Sequence, residues 1–121
     1  DYLSKHPKVE KVNHPSLPTH PDHELTINIS QMVPAVSSPS RSKAGRKPLG
    51  NSSTTLEIFS LLANVADVKS LIIHPYTTTH SQMSPEELAQ QHITPSTVRL
   101  SIGTEYIDDI IDDLDQAFAK I

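Results

Sequence analysis

The chain has 121 residues, 36% of them hydrophobic and 4% aromatic, with 3 Gly, 10 Pro, no Cys and a formal net charge of −4. That is one domain's length with a lean core; the acidic balance argues against nucleic acid as a general partner, and the lack of cysteine excludes a disulfide framework, thiol catalysis and Cys-based zinc. No apolar run approaches the ~18 residues that span a bilayer, and the first residues lack a signal-peptide pattern, so no membrane partner is expected and the sequence reads as cytoplasmic.

The opening DYLSKH puts Tyr2 and Leu3 in a helical turn without Met or cap, and reads as cut from a larger protein. KVEKVNH (Lys8–His14) sets Val9 and Val12 among polar residues and predicts a short strand. Pro15, Pro18 and Pro21 then enforce extended or turn geometry, and Asp22 stands where it would cap a short helix through Glu24 and Leu25. LEIFSLLANV (Leu56–Val65) is apolar at 56, 58, 59, 61, 62 and 65 and predicts a mostly buried helix. SLIIHP (Ser70–Pro75) is a buried-strand run stopped by proline. SPEE makes Ser84 an N-cap, Pro85 the first helical residue and Glu87 the reciprocal partner of a capping box. STVRLSIG (Ser96–Gly103) predicts a strand with Val98, Leu100 and Ile102 toward the core and Arg99 and Ser101 on the opposite face. The last helix, Glu105 to about Lys120, aligns Ile107, Ile110, Ile111, Leu114 and Phe118 in one stripe, with Asp108, Asp109, Asp112 and Asp113 expected outside. Helices alternating with short strands give an α+β class, a short sheet with helices packed on it.

The stretch SSPSRSKAGRKP (Ser37–Pro48) does not fit this pattern. Between Leu25 and Leu56 there is no acid, yet four of the ten Lys and Arg lie there: Arg41, Lys43, Arg46 and Lys47. It reads as a basic binding arm, a linker or a damaged piece of a fold.

Several groups invite chemistry. Seven histidines suggest metal, but there is no HExxH and they sit mostly beside prolines in turns, so no metal site is expected. DDIIDDLD (Asp108–Asp115) follows a solvated helix face and not a calcium loop. HPYTTTHSQ (His74–Gln82) gathers hydroxyls after a strand, where α/β proteins place ligands; it reads equally as a polar turn. Arg99, mid-strand, presents a planar fork suited to a carboxylate, or to a structural ion pair with one of the many acids. A backbone phosphate cradle is implausible with 3 glycines.

LANVADVKSLIIHPYTTTHSQMSPEELAQQHITPSTVRLSIGTEYIDDIIDDLDQAFAKI closely resembles the C-terminal end of the O-acetylhomoserine sulfhydrylases, and HPKVEKVNHPSLPTHPDHEL resembles a segment upstream of it in the same family. The likeness covers residues 1–29 and 56–121. These are pyridoxal-phosphate enzymes of Cys/Met metabolism, which make homocysteine from O-acetylhomoserine and sulfide; some also use O-acetylserine. The resemblance implies fold type I, with a large cofactor domain and a smaller C-terminal domain closing over the site, in a homo-oligomer, typically a tetramer. It further implies that Arg99, in the RLSVG-like strand, binds the α-carboxylate of a small amino-acid substrate, with Asn64 near the same group. Ala66, Tyr76, Thr77 and Thr104 depart from the family pattern. None of Lys5, Lys8, Lys11, Lys43, Lys47, Lys69 and Lys120 matches the cofactor-lysine motif, so this chain is expected to hold neither cofactor-binding nor catalytic residues and to be inactive alone.

In that family the region between the two matched segments is a strand and a helix. Reading QMVPAVSSPSRSK one base out of frame permits PNGPGSVLSFEIK, and KPLGNSSTT permits an ending in RKLIDN. Ser37, Ser38, Ser40, Ser42, Ser52 and Ser53 then stand where the family has apolar residues. The expected organisation is residues 1–29 as the start of a C-terminal domain, 30–55 as a frame-shifted, disordered segment, and 56–121 as the remainder. The alternative is a non-enzymatic binding module with a flexible basic arm at 31–55. Pro34, Pro39 and Pro48 argue against a regular central strand there.

Overall fold

A computed structural model describes residues 1–29, 37–42, 55–64 and 67–120. The elements are α1 (Tyr2–Lys5), β1 (Val9–Val12), α2 (His23–Ile29), β2 (Ser37–Ser42), β3 (Ser60–Leu61), β4 (Leu71–Ile73), a 3-10 turn (Pro75–Thr77), α3 (Pro85–Gln90), β5 (Thr97–Ser101) and α4 (Ile107–Ala119). The strands form one sheet in the order β1-β2-β5-β4-β3, antiparallel except for the parallel β3–β4 pair. The α+β class is as the sequence predicts.

Alternation in β5 decides the layers. Val98 and Leu100 are buried against Ile72, Phe59 and the α4 side chains Ile110, Leu114 and Phe118, with Tyr2, Leu3, Val9 and Leu56 packed around them. Thr97, Arg99 and Ser101 therefore belong to the opposite face. The N-terminal segment is tied to α4 by polar contacts. Lys8 Nζ donates to the Phe118 carbonyl at 2.6 Å, satisfying an end of α4; the Tyr2 hydroxyl donates to Asp115; and the His6 ring stacks on Phe118 with centroids 4.1 Å apart.

The capping box forms as predicted: Ser84 Oγ accepts the Glu87 N–H at 3.3 Å and the Glu87 carboxylate accepts the Ser84 N–H at 2.8 Å. α3 ends with His92 in the left-handed region at φ 57°. There the His92 N–H bonds Ala89 O at 3.0 Å and the Ile93 N–H bonds Leu88 O at 2.9 Å, the paired bonds of a Schellman turn.

Four expectations are corrected. The helix predicted over Leu56–Val65 is absent; residues 55–64 hold turns and β3, with Leu61 and Leu62 exposed. Apolar periodicity alone does not separate a buried helix from an irregular segment pinned by tertiary bonds. Asp113, expected outside, is 5% exposed because its carboxylate receives backbone N–H groups, while Ile107 of the apolar stripe is exposed. Ile102 lies beyond β5 and is exposed, since the strand ends at Ser101. Finally, Pro39 does not prevent a regular strand: Ser37–Ser42 pairs on both sides, and Pro39 stands within it opposite Arg99. The β1 ladder covers Ser40 to Ser42, so at Pro39 one neighbour's ladder has already ended, where a residue lacking N–H is tolerated. The rest of the 30–55 reading falls on 30–36 and 43–54, outside the described residues.

Candidate functional site

Arg99 sits at the middle of β5, registered with Ile73 of β4 and Pro39 of β2. On the face away from α4, a small depression is lined by Leu62, Asn64, Leu71, Ile73, Arg99 and Ser101. The two residues singled out from the sequence thus come together. Their contact runs through the main chain: Arg99 Nη2 donates to the Asn64 carbonyl at a long 3.5 Å, while Asn64 Nδ2 donates to Asp67 at 2.9 Å. Asp67 also accepts the Lys69 N–H at 3.1 Å, and that bond, with the one from Asn64, holds its carboxyl below the usual range. The guanidinium shares this depression with Leu62, Leu71 and Ile73, and its fork suits a planar anion.

A polar clasp fixes the strand ends that carry Arg99. Ser70, fully buried, precedes β4 and donates its N–H (2.7 Å) and hydroxyl (2.8 Å) to the Glu105 carboxylate. Gly103, just after β5, donates its N–H to Ser70 Oγ at 2.9 Å. Burial pushes the Glu105 carboxyl up, but the bonds from Ser70 prevail and hold it below its ordinary value. The crossing is close: a Cβ on Gly103 would lie 2.4 Å from Val68 O and 2.6 Å from Glu105 Oε2.

The hydroxyl-rich loop is largely self-satisfied. The carbonyl of Pro95 accepts from His74 Nε2 at 2.9 Å, and His74 Nδ1 bonds Thr77 Oγ1 at 2.8 Å. Thr78 Oγ1 donates to His74 O and Ser81 Oγ to Thr78 O, the bonding of a polar turn. His14 bonds Ser16, His20 bonds the Asp22 N–H and His23 bonds Pro15 O. Among the described residues no three His, Asp or Glu side chains group to hold a metal. Among the described residues no lysine lines the depression beside Arg99, so these residues do not fit an aldehyde cofactor's anchor. Asp113, which accepts backbone N–H groups from the segment leading to Asn64, was expected on the outer face. Its place three residues after Ile110 and four before Ala117 put it on the buried stripe.

A family model described as Cys/Met metabolism PLP-dependent enzyme matches residues 1–119. An O-acetyl-L-homoserine sulfhydrylase of Thermus thermophilus is 40% identical over 98% of this chain and 28% of its own length. An L-methionine gamma-lyase of Fusobacterium nucleatum is 41% identical over 100% of this chain and 30% of its own. A solved structure described as an O-acetylhomoserine (thiol)-lyase of Campylobacter jejuni, with N'-pyridoxyl-lysine-5'-monophosphate, superposes with a TM-score of 0.88 at 40% identity, covering 96% of this chain and 28% of that one. The chain therefore spans under a third of the length of the relatives it matches.

Proposed function

Because the chain belongs to the Cys/Met metabolism PLP-dependent enzymes, whose full-length members use pyridoxal 5'-phosphate, we propose that it is the substrate-carboxylate part of an O-acetylhomoserine sulfhydrylase. The observation that carries this is Arg99, set mid-strand beside Asn64 on the face of the sheet away from α4. In the whole enzyme the substrate's α-carboxylate would take the guanidinium fork, and the Asn64 segment would wall the same position. This contact orients the amino acid, so that its acetate leaves and sulfide adds at one place. Bound pyridoxal phosphate supplies the electron sink for that chemistry, and its anchor lies outside the described residues. The 121-residue chain alone then has no turnover.

The methionine gamma-lyase likeness favours a second reading, in which the same Arg99 holds methionine. A hybrid holoenzyme separates the two. Residues 1–119 replace the matching part of the Thermus thermophilus relative, and the product is assayed with O-acetylhomoserine plus sulfide and with methionine. Homocysteine formation is expected. Methionine breakdown without homocysteine formation would favour the second reading, and a folded, cofactor-loaded hybrid inert toward both would refute the proposal.

A further inference from the structure

Asp113 differs from the other acids of α4. Asp112 and Asp115 are exposed, whereas Asp113 is buried. Its Oδ1 accepts the Glu57 N–H at 2.9 Å, and its Oδ2 accepts those of Ile58 at 3.0 Å and Phe59 at 3.4 Å. Gln116 Nε2 braces the arrangement, donating to Asp113 Oδ1 at 2.8 Å and to the Thr55 carbonyl at 2.6 Å. Three consecutive N–H groups converging on one anion is the geometry of a helix start or a backbone nest, yet no helix follows. The chain instead enters β3, where Ser60 N–H bonds Ser70 O at 3.0 Å and Ser60–Leu61 pair with Leu71–Ile72. One and three residues beyond β3, Leu62 and Asn64 form the wall beside Arg99.

We propose that Asp113 is a positioning residue for the carboxylate site: by gripping Glu57–Phe59 from the α4 side of the sheet, it sets where Leu62 and Asn64 stand against Arg99 on the other side. This rests on the reading of Arg99 as the carboxylate ligand. Asp113 belongs to the helix that packs on the Val98 and Leu100 face, and Arg99 to the opposite face, so Asp113 acts through the backbone without touching substrate. An amide in its place keeps one acceptor oxygen but turns an NH2 donor group toward the N–H donors, while Asp113→Glu keeps the charge.

The test is kcat and KM for O-acetylhomoserine in the hybrid holoenzyme. Asp113→Asn is expected to raise KM by about tenfold with kcat within about threefold of the parent, and Asp113→Glu to recover part of the loss. An unchanged KM, or a fall in kcat alone that tracks the folded fraction, would overturn the positioning role. Should Asp113→Asn fail to fold, Gln116→Ala decides, with a raised KM supporting the role and an unchanged one refuting it. Arg99→Ala run alongside separates the two ideas. If it too leaves KM unchanged, the carboxylate reading has failed; if it raises KM while Asp113→Asn does not, only the positioning role has.

Discussion

Replacing Gly103 by alanine tests whether the β4–β5 clasp is as tight as its geometry states. The added Cβ would meet Val68 O at 2.4 Å and the Lys69 carbonyl carbon at 2.6 Å, roughly 1 Å inside ordinary contact, and both are backbone atoms. The Glu105 carboxylate, at 2.6 Å, has a side chain able to swing away, but Val68 and Lys69 move only with their chain. Moving them endangers two bonds: Gly103 N–H to Ser70 Oγ and Thr104 N–H to Val68 O, each 2.9 Å. Two bonds at ~0.5–1.5 kcal/mol each and an overpacking penalty of ~1–3 kcal/mol sum to about 4 kcal/mol. Against a domain stability of ~5–15 kcal/mol that is a large share. Urea unfolding of Gly103→Ala should show this loss as a lower midpoint at unchanged slope. Ile102→Ala, at an exposed neighbour, should change stability by under ~1 kcal/mol. A Gly103→Ala loss equally small would refute the close-crossing argument.

Acid should weaken the fold through two carboxyls. Asp113 is pushed up by burial but held below its ordinary value by the N–H groups of Glu57, Ile58 and Phe59 and by Gln116, and Glu105 is depressed as described. Their stabilisation is thus complete above the unfolded values of about 3.9 and 4.3 and is lost as pH falls through the lower folded ones, so urea midpoints should drop below about pH 4, less steeply in Asp113→Asn. His92→Gly should stabilise the chain by about 1 kcal/mol, because glycine removes the left-handed penalty at the end of α3; a thermal midpoint that falls would contradict this. Borohydride reduction of the 121-residue chain with pyridoxal phosphate should label no single lysine, and one specific adduct would show that an anchor had been overlooked.

Local signals carried far into this fold where the interactions are local. The capping box at Ser84 and Glu87 needs four adjacent residues, and it formed as spelled. The alternation of Val98, Arg99 and Leu100 placed Arg99 opposite the core by counting alone. What failed was set by partners far along the chain. Leu56–Leu62 has a helical apolar pattern, but Asp113, more than fifty residues away, takes its backbone donors, and β4 takes Ser60 and Leu61. Ser37–Ser42 has poor strand composition, yet two neighbouring strands frame it. Arg99 and Asn64 were paired through family resemblance, because 35 residues separate them and no spacing rule brings them together.

The most direct test of the account is kcat/KM for O-acetylhomoserine in the hybrid holoenzyme carrying Arg99→Ala and, separately, Arg99→Lys. Loss of a charged partner to the substrate carboxylate predicts a fall equivalent to about 2–4 kcal/mol for alanine, with lysine recovering little because it lacks the two-pronged fork. Turnover undiminished by Arg99→Ala would contradict the assignment of this face as the substrate-carboxylate site.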